Sequence, residues 1–324
     1  MYGASKMNPK SLDILILGLG RVGMTYDLKK PVGQVLTHTR AISEWAKGTR
    51  TTVNVVGIDP QPQTKAPFKE IFTSNEWYAY LSDLEIRRPF DLAIVATPIS
   101  TIAQDVLQAC QYLEIKKLVI EKPAAKNLAE LETLVSIPGA KDNFIVGFPR
   151  PSLPSSIFLR DQIRMLGENE FWKVDIYYGG SVLNILSHFL NLTEFLFGPF
   201  QLDSFRFDSD NYLNAVFKSD SGKLSIHTHQ HSESNNEKNE IYVKGPITIC
   251  YTNSGRNISV GNLNEEATKS ISKMNFQNEI LQMIGNFGSR YLRWAAINEE
   301  SEFTYLASTS LKQTIRLEEV AYGR

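Results

Sequence analysis

The sequence predicts an α/β doubly wound domain built on a parallel sheet, followed by an α+β domain with a large, mainly antiparallel open sheet. Three observations lead there. The 324 residues exceed what a single core ordinarily serves, so two domains are expected. Over residues 13–148, short β-branched apolar runs alternate with helix-patterned stretches, which is the rhythm of strand, helix, strand in a parallel sheet. After FPRPSLP (148–154), where three prolines interrupt regular structure, the rhythm changes to consecutive short strands with turn signals between them. The boundary is therefore placed at 150, giving domains 1–150 and 151–324.

The first domain's strands are DILILG (13–18), TVNVVGID (52–59), DLAIVAT (91–97), KLVIEK (117–122) and NFIVGF (143–148). Near-continuous apolar runs of this length suit strands buried on both faces. Between them THTRAISEWAK (37–47), STIAQDVLQACQYL (100–113) and NLAELETLVS (127–136) carry helical spacing. In the second domain a helix over SSIFLRDQIRML (155–166) leads to a strand, FWKVDIYY (171–178), and then to an apolar helix, GGSVLNILSHFLNL (179–192). Strands follow at FRF, LNAVF, KLSIHTH, IYVKG and ITICY, with SDSG (219–222) as a turn and HSESNNEKNE (231–240) as an exposed polar loop. Helical stretches at roughly 272–287 and 303–321 close the chain.

Composition excludes several classes. A hydrophobic content of 42%, with 21% charged residues and a net charge of −1, describes a globular protein with no electrostatic footprint for nucleic acid or an anionic membrane. No apolar run reaches the length that spans a bilayer, and MYGASKMNPKS has no signal-peptide core, so a cytoplasmic location is expected. Two distant cysteines, Cys110 and Cys250, make neither a disulfide framework nor a zinc site and read as packed interior thiols.

Directly after the first strand comes GLGRVG: Gly18, Leu19, Gly20, Arg21, Val22 and Gly23. Gly18 allows a tight turn, Gly20 lets a pyrophosphate approach the backbone, and Gly23 lets the following helix pack closely, its first N–H groups facing the phosphates. This is the fingerprint of a Rossmann dinucleotide-binding domain. Asp59 ends the second strand, where an acid hydrogen-bonds ribose hydroxyls and repels a 2′-phosphate, favouring NAD over NADP; the plainer reading is a turn residue before Pro60. Asp59 lies 36 positions after Gly23, against about 20 from the motif in ordinary cases. The excess is YDLKKPVGQVLTHTR (26–40), an insertion that interrupts the first helix with a Pro–Val–Gly turn and either covers the ligand cleft or is a surface loop.

Ligands of open α/β sheets bind outside the carboxyl ends of the strands, which places Thr97, Glu121 and Lys122 at the crevice. Lys122, between an apolar strand and Pro123, suits proton transfer if partly desolvated, or else caps a strand at the surface. In GGSVLNILSHFLNL the polar residues Ser181, Asn184, His188 and Asn191 step by three, four and three, one line along a helix face. They either satisfy one another in the core or line a cleft wall. Arg150 is a candidate contact for an anion or hydroxyl, or a structural ion pair. His227, His229 and His231 alternate onto one strand face, too far apart to converge on a metal, and read as a polar face or subunit interface; no metal site is expected.

Together, GLGRVG, the pair Thr97–Pro98, Glu121–Lys122–Pro123, VGF (146–148) and GGSVLNILSH (179–188) resemble the glucose–fructose oxidoreductase, inositol dehydrogenase and rhizopine-catabolism (Gfo/Idh/MocA) family of NAD(P)-dependent oxidoreductases. The resemblance implies that Lys122 hydrogen-bonds the reacting oxygen beside the nicotinamide, that His188 is the general base or acid, and that the Lys122–Pro123 peptide is cis. It implies cofactor contacts from the glycine loop, Asp59, Thr97, Pro98, Glu121 and Lys122, and substrate contacts from Lys122, Arg150, Asn184 and His188. It further implies a sugar, polyol or sugar-nucleotide substrate, and a homodimer or homotetramer joined through the second domain's sheet. The sequence departs from the family at Asn184, where an aspartate is usual, and at Ile99 and Ile102, which replace the common Asn and His. Asparagine still orients a hydroxyl but does not raise the basicity of His188. Two other readings stay open: a non-catalytic regulator that binds dinucleotide and sugar, and a reductase of a non-sugar ligand.

Overall fold

The computed structural model describes residues 11–31, 34–73, 76–85, 88–167, 170–232, 239–252, 257–272, 274, 279, 282–297 and 305–323. The chain divides into two compact units. One comprises Met1–Ala124, Ser136–Gly147 and Gln282–Phe303; the other comprises Ala125–Val135, Phe148–Leu281 and Thr304–Arg324.

The first unit is a parallel sheet of six strands: β1 (Leu12–Leu17), β2 (Val53–Ile58), β3 (Glu76–Tyr78), β4 (Leu92–Val95), β5 (Leu118–Ile120) and β6 (Phe144–Val146). Their order is β3-β2-β1-β4-β5-β6, so the direction of winding reverses between β1 and β4. Every residue of β4, β5 and β6 is buried, as their unbroken apolar runs require. Helices α1 (His38–Thr49), α2 (Lys65–Ile71) and α3 (Ile102–Tyr112) connect the strands. Thr37 starts α1 by accepting the Arg40 N–H on its side chain, at 3.3 Å. The three-residue β3 was not foreseen; it is an edge strand whose residues are all half-buried, so it carries no apolar run.

The second unit contains the short helix-bearing segment α4 (Leu128–Val135), which follows β5, while α5 (Ala140–Asn143) returns to the first unit. Then come α6 (Pro154–Leu166), β7 (Trp172–Gly179) and α7 (Ser187–Phe197). Pro154 at the first position of α6 explains how a proline-rich stretch ends in a helix. Strands β8 (Gln201–Phe207), β9 (Leu213–Lys218), β10 (Leu224–His231), β11 (Glu240–Lys244), β12 (Thr248–Thr252) and β13 (Asn257–Gly261) complete a seven-stranded sheet ordered β13-β12-β11-β7-β10-β9-β8. The β7–β10 pair is parallel and the others are antiparallel. Alternating burial along β9 and β10 marks a sheet with one covered face, whose core includes Val174, Ile176, Phe217, Ile226 and Leu190.

Helices α8 (Glu265–Ser272), α9 (Met283–Ile297) and α10 (Thr309–Tyr322) close the chain. The helix expected near 272–287 is thus placed later, at 283–297, with residues 273, 275–278, 280 and 281 outside the described residues. Residues 303 and 304 of the stretch expected at 303–321 also lie outside them, as do 233–238 of the polar loop.

The two units do not follow a single cut at 150. Helix α9 belongs with the first unit because it packs on α1: a Cβ on Gly288 would stand 2.6 Å from that of Ala41, so the missing side chain permits the close crossing. Helix α4 belongs with the second because its first N–H, on Leu128, donates to Glu319 of α10 at 2.8 Å.

Candidate active site

Gly18 leaves β1 with φ +89°, and a Cβ there would stand 2.6 Å from the Ala96 carbonyl oxygen. Its N–H donates to the Ile58 carbonyl at 2.9 Å, so the loop is seated at the end of β1, where the winding reverses between β1 and β4. Gly23 is obligatory for a second reason: its Cβ would lie 2.0 Å from the Gly18 carbonyl oxygen. At Gly20 a Cβ would meet nothing within 4 Å, which leaves that stretch of backbone open to an approaching group. Leu19 is buried, Val22 is exposed, and the Arg21 guanidinium lies 5.2 Å over the Tyr26 ring.

Asp59 is buried and bound on both oxygens: Oδ2 accepts the Leu19 N–H at 2.7 Å and Oδ1 the Gln61 N–H at 2.8 Å. The acid is therefore fastened to the glycine loop through Leu19 and to the turn after β2 through Gln61. Thr97, after β4, has its hydroxyl shielded from solvent with no hydrogen-bond partner among the described residues. The Pro98 carbonyl accepts the N–H groups of Thr101 and Ile102 and starts α3. An open glycine, an acid on the loop and an unmatched hydroxyl at one sheet edge fit a dinucleotide.

Glu121 and half-buried Lys122 follow β5, and the Lys122–Pro123 peptide is cis. Glu121 Oε2 accepts the Lys122 N–H at 3.2 Å, while Oε1 lies 2.7 Å from His38 Nε2. Gly147, after β6, makes room: a Cβ there would be 2.9 Å from Oε1. His38 is fully buried, and its Nδ1 lies 3.2 Å from the Tyr291 hydroxyl. Sequence reasoning missed this histidine, because its partners are 83 and 253 positions away.

In the second unit, GGSVLNILSHFLNL does not run as one α-helix. Val182–Leu186 forms a π-turn, in which the Ser187 N–H reaches back five residues to Val182, and α7 starts after it. Ser181 is the N-cap, accepting the Asn184 N–H at 3.1 Å. His188 is half-buried and meets the Phe148 ring edge-on, with centroids 5.6 Å apart. Asn184 is exposed. Asn191 is buried, with Nδ2 3.5 Å from Ser310 Oγ of α10. The expected stripe is thereby divided: Ser181 caps a helix, Asn191 fills the core against α10, and Asn184 and His188 remain as candidates.

Arg150 carries no salt bridge among the described residues. Its guanidinium lies 5.0 Å over the Phe189 ring, Nη1 is shielded with no hydrogen-bond partner among those residues, and burial lowers its pKa to about 10. The ion-pair reading is set aside, and a buried donor without an acceptor remains. On β10 the three histidines each have a separate contact: Ser225 Oγ for His227, Asn214 Oδ1 for His229 and the Ser232 carbonyl for His231. Among the described residues no cluster of three or more metal-ligating side chains is found. Cys110 and Cys250 are half-buried, and burial raises the Cys110 thiol to about 11.

No protein-family model and no curated protein matches the sequence. Solved structures do match. The WlbA dehydrogenase from Bordetella pertussis, in complex with NADH and UDP-GlcNAcA, superposes with a TM-score of 0.72 at 13% identity, over 98% of this chain and 96% of that one. The myo-inositol dehydrogenase from Lactobacillus casei, with NAD(H) and myo-inositol, gives 0.66 at 13% identity over 97% and 95%. An oxidoreductase from Agrobacterium radiobacter, in complex with NAD+, L-tartaric acid and magnesium, gives 0.66 at 15% identity over 97% of each chain. The chain has the Gfo/Idh/MocA-type oxidoreductase fold.

Within this Gfo/Idh/MocA-type fold, the helix after the glycine loop is interrupted, as the sequence predicts for residues 26–40. The Met24 and Tyr26 N–H groups close a single turn on Gly20 and Arg21, and Thr25–Asp27 is a 3₁₀ turn. Then the His38 N–H donates to the Val22 carbonyl at 3.1 Å and the Thr39 N–H to Gly23 at 3.0 Å. The helical ladder resumes across a detour. Buried Asp27 holds that detour in shape, accepting the Leu36 N–H at 2.8 Å and the Thr37 hydroxyl at 2.9 Å. Val32 and Gly33 of the expected Pro–Val–Gly turn lie outside the described residues.

Proposed function

We propose that the chain is an NAD-dependent oxidoreductase, with NADP the less favoured cofactor, acting on a secondary alcohol or ketone carbon of a sugar, polyol or sugar nucleotide. The observation that carries this reading is the carboxyl edge of the parallel sheet, where open Gly20, unmatched Thr97 and buried Asp59 fit a dinucleotide and Lys122 follows the next strand. Solved structures of the same fold that hold NAD(H) with myo-inositol or UDP-GlcNAcA support it. A bound nicotinamide supplies the hydride acceptor or donor. Backbone N–H groups of Gly18–Gly23 face the pyrophosphate, and Asp59 takes the ribose hydroxyls on its remaining lone pairs. Thr97, Pro98 and Glu121 complete the cofactor contacts. Lys122 hydrogen-bonds the reacting oxygen and His188 takes its proton in oxidation or returns it in reduction. Asn184 orients a neighbouring hydroxyl, and Arg150 donates to a substrate oxygen.

The test is a sugar and sugar-nucleotide panel followed at the nicotinamide absorbance band, beside NADH fluorescence titration. Lys122→Ala and His188→Ala each lose about 10²–10⁴-fold in turnover, while NADH binding survives. Full activity in both variants overturns the mechanism. A second reading, a non-catalytic dinucleotide- and sugar-binding regulator, is favoured by Asn184 in place of a carboxylate. Binding of NADH with no turnover on any member of the panel would support it.

The same reading includes a homodimer or homotetramer joined through the second unit's sheet, in the cytoplasm. Tyr177, 39% exposed, stacks on His229 at 4.8 Å and meets Tyr242 at 5.9 Å, a cluster suited to a subunit interface. Two free cysteines agree with a reducing compartment, and among the described residues no helix is long and apolar enough to cross a membrane. A monomer in sedimentation at micromolar concentration would overturn the oligomer.

A further inference from the structure

We propose that His38 is a positioning residue for Glu121 and Lys122, acting by donating its Nε2–H to Glu121 Oε1 while the Tyr291 hydroxyl donates to its Nδ1. The argument starts from Glu121. Its side chain is only 12% exposed, and a carboxylate in that position needs donors on both oxygens. One oxygen is bound by the Lys122 N–H and the other by the His38 ring, at 3.2 and 2.7 Å. Gly147 removes the Cβ that would occupy the carboxylate's place. Three elements far apart in sequence thus converge on one side chain next to Lys122.

The histidine is itself held. It is the first residue of α1, where the helical ladder resumes after the detour, and its own N–H is bonded to the Val22 carbonyl. Tyr291, on α9, lies against the ring with centroids 6.0 Å apart. Burial, with the Glu121 charge as the second cause, pushes the Tyr291 hydroxyl well above its ordinary range, so it stays a donor at any working pH. The Nε2–H tautomer satisfies every partner: tyrosine to Nδ1, and Nε2–H to carboxylate. A carboxylate fixed this way holds the Lys122 backbone N–H, and with it the origin from which the lysine side chain projects. The step from a fixed Lys122 to turnover rests on the oxidoreductase reading; the fixing of Glu121 does not.

The test compares His38→Gln, His38→Asn, His38→Ala and Tyr291→Phe in the full chain. A glutamine amide reproduces the donor at the Nε2 position, whereas an asparagine amide reaches only the Nδ1 position. Two readouts need no substrate: hydrogen exchange of the peptide containing the Lys122 amide, and acetic anhydride labelling of Lys122 relative to Lys47, whose side chain is 71% exposed. His38→Gln is expected to stay near the parent protein. His38→Asn and His38→Ala are expected to speed exchange at Lys122 several-fold and to change its relative labelling, with a smaller change in Tyr291→Phe. Equal behaviour of the Gln and Asn variants overturns the proposal, as does parent-like behaviour of all four. Where the histidine variants do not fold, Tyr291→Phe decides, because it removes one oxygen and no apolar volume; parent-like Lys122 labelling there overturns the proposal. NADH titration is run in parallel, so absent cofactor binding in the parent protein sinks the oxidoreductase reading and leaves the labelling result standing.

Discussion

At the scale of single residues, Asn184 sets the sharpest question, because it stands where the family that the sequence resembles has an aspartate, four residues before His188. Asn184→Asp puts a negative charge near His188, which favours the protonated imidazole. Under the oxidoreductase reading the free base then appears only at higher pH, so the acidic limb of the oxidation rate profile moves upward. Reduction, which uses the protonated ring, holds its rate to higher pH. Profiles of turnover against pH in the two directions check both shifts, and coincident profiles for parent and variant would remove Asn184 from the proton's path. Asn184 and Lys122 could be singled out as candidates because each belongs to a local sequence motif. His38 could not, since nothing in THTR distinguishes a histidine bound to Glu121 and Tyr291 from a surface one.

At the scale of elements, the glycine loop separates two requirements that one motif conceals. Gly23→Ala forces a Cβ to 2.0 Å from the Gly18 carbonyl oxygen, so the turn itself must open; a loss of roughly 2–3 kcal/mol in unfolding stability is expected, read by denaturant titration. Gly20→Ala meets no protein atom within 4 Å and is expected to change stability by about 0.5 kcal/mol or less. Under the oxidoreductase reading it should nonetheless weaken NADH binding about tenfold or more, because the added methyl group would occupy the pyrophosphate's approach. Equal NADH affinity in Gly20→Ala and the parent would displace the cofactor from this loop. The long apolar strands were readable from periodicity, but β3 and the fully edge-placed β8 were blurred, because an exposed edge writes little burial into its sequence. The π-turn at Val182–Leu186 was likewise hidden, since its apolar spacing passes for that of an ordinary helix.

For the whole molecule, the threading matters more than the count of domains. The change of composition at FPRPSLP is visible in the sequence, yet the chain crosses between units at Ala125–Val135 and again at Gln282–Phe303. An amphipathic helix advertises an apolar face without naming the surface it covers. The consequence is that residues 1–150 alone lack α9, and with it Tyr291 and the helix that Gly288 lays against Ala41. That fragment is expected to show no cooperative thermal transition, whereas the full chain shows one or more; circular dichroism melting decides. A sharp transition in the fragment would mean that α9 adds nothing essential to the first unit.

The hydrogen bonds from His38 to Val22 and from Thr39 to Gly23 span 16 positions each, where an uninterrupted helix spans four. Both ends of the intervening segment are therefore pinned side by side, whatever lies between them. Doubling the length of a closed loop costs only about 0.6 kcal/mol. Length between Asp27 and Leu36, inside the contacts that close the detour, is thus nearly neutral for stability, and that stretch is a natural port for engineering. A reporter domain spliced there would be tethered close to the glycine loop, with the ladder holding its two attachment points in register.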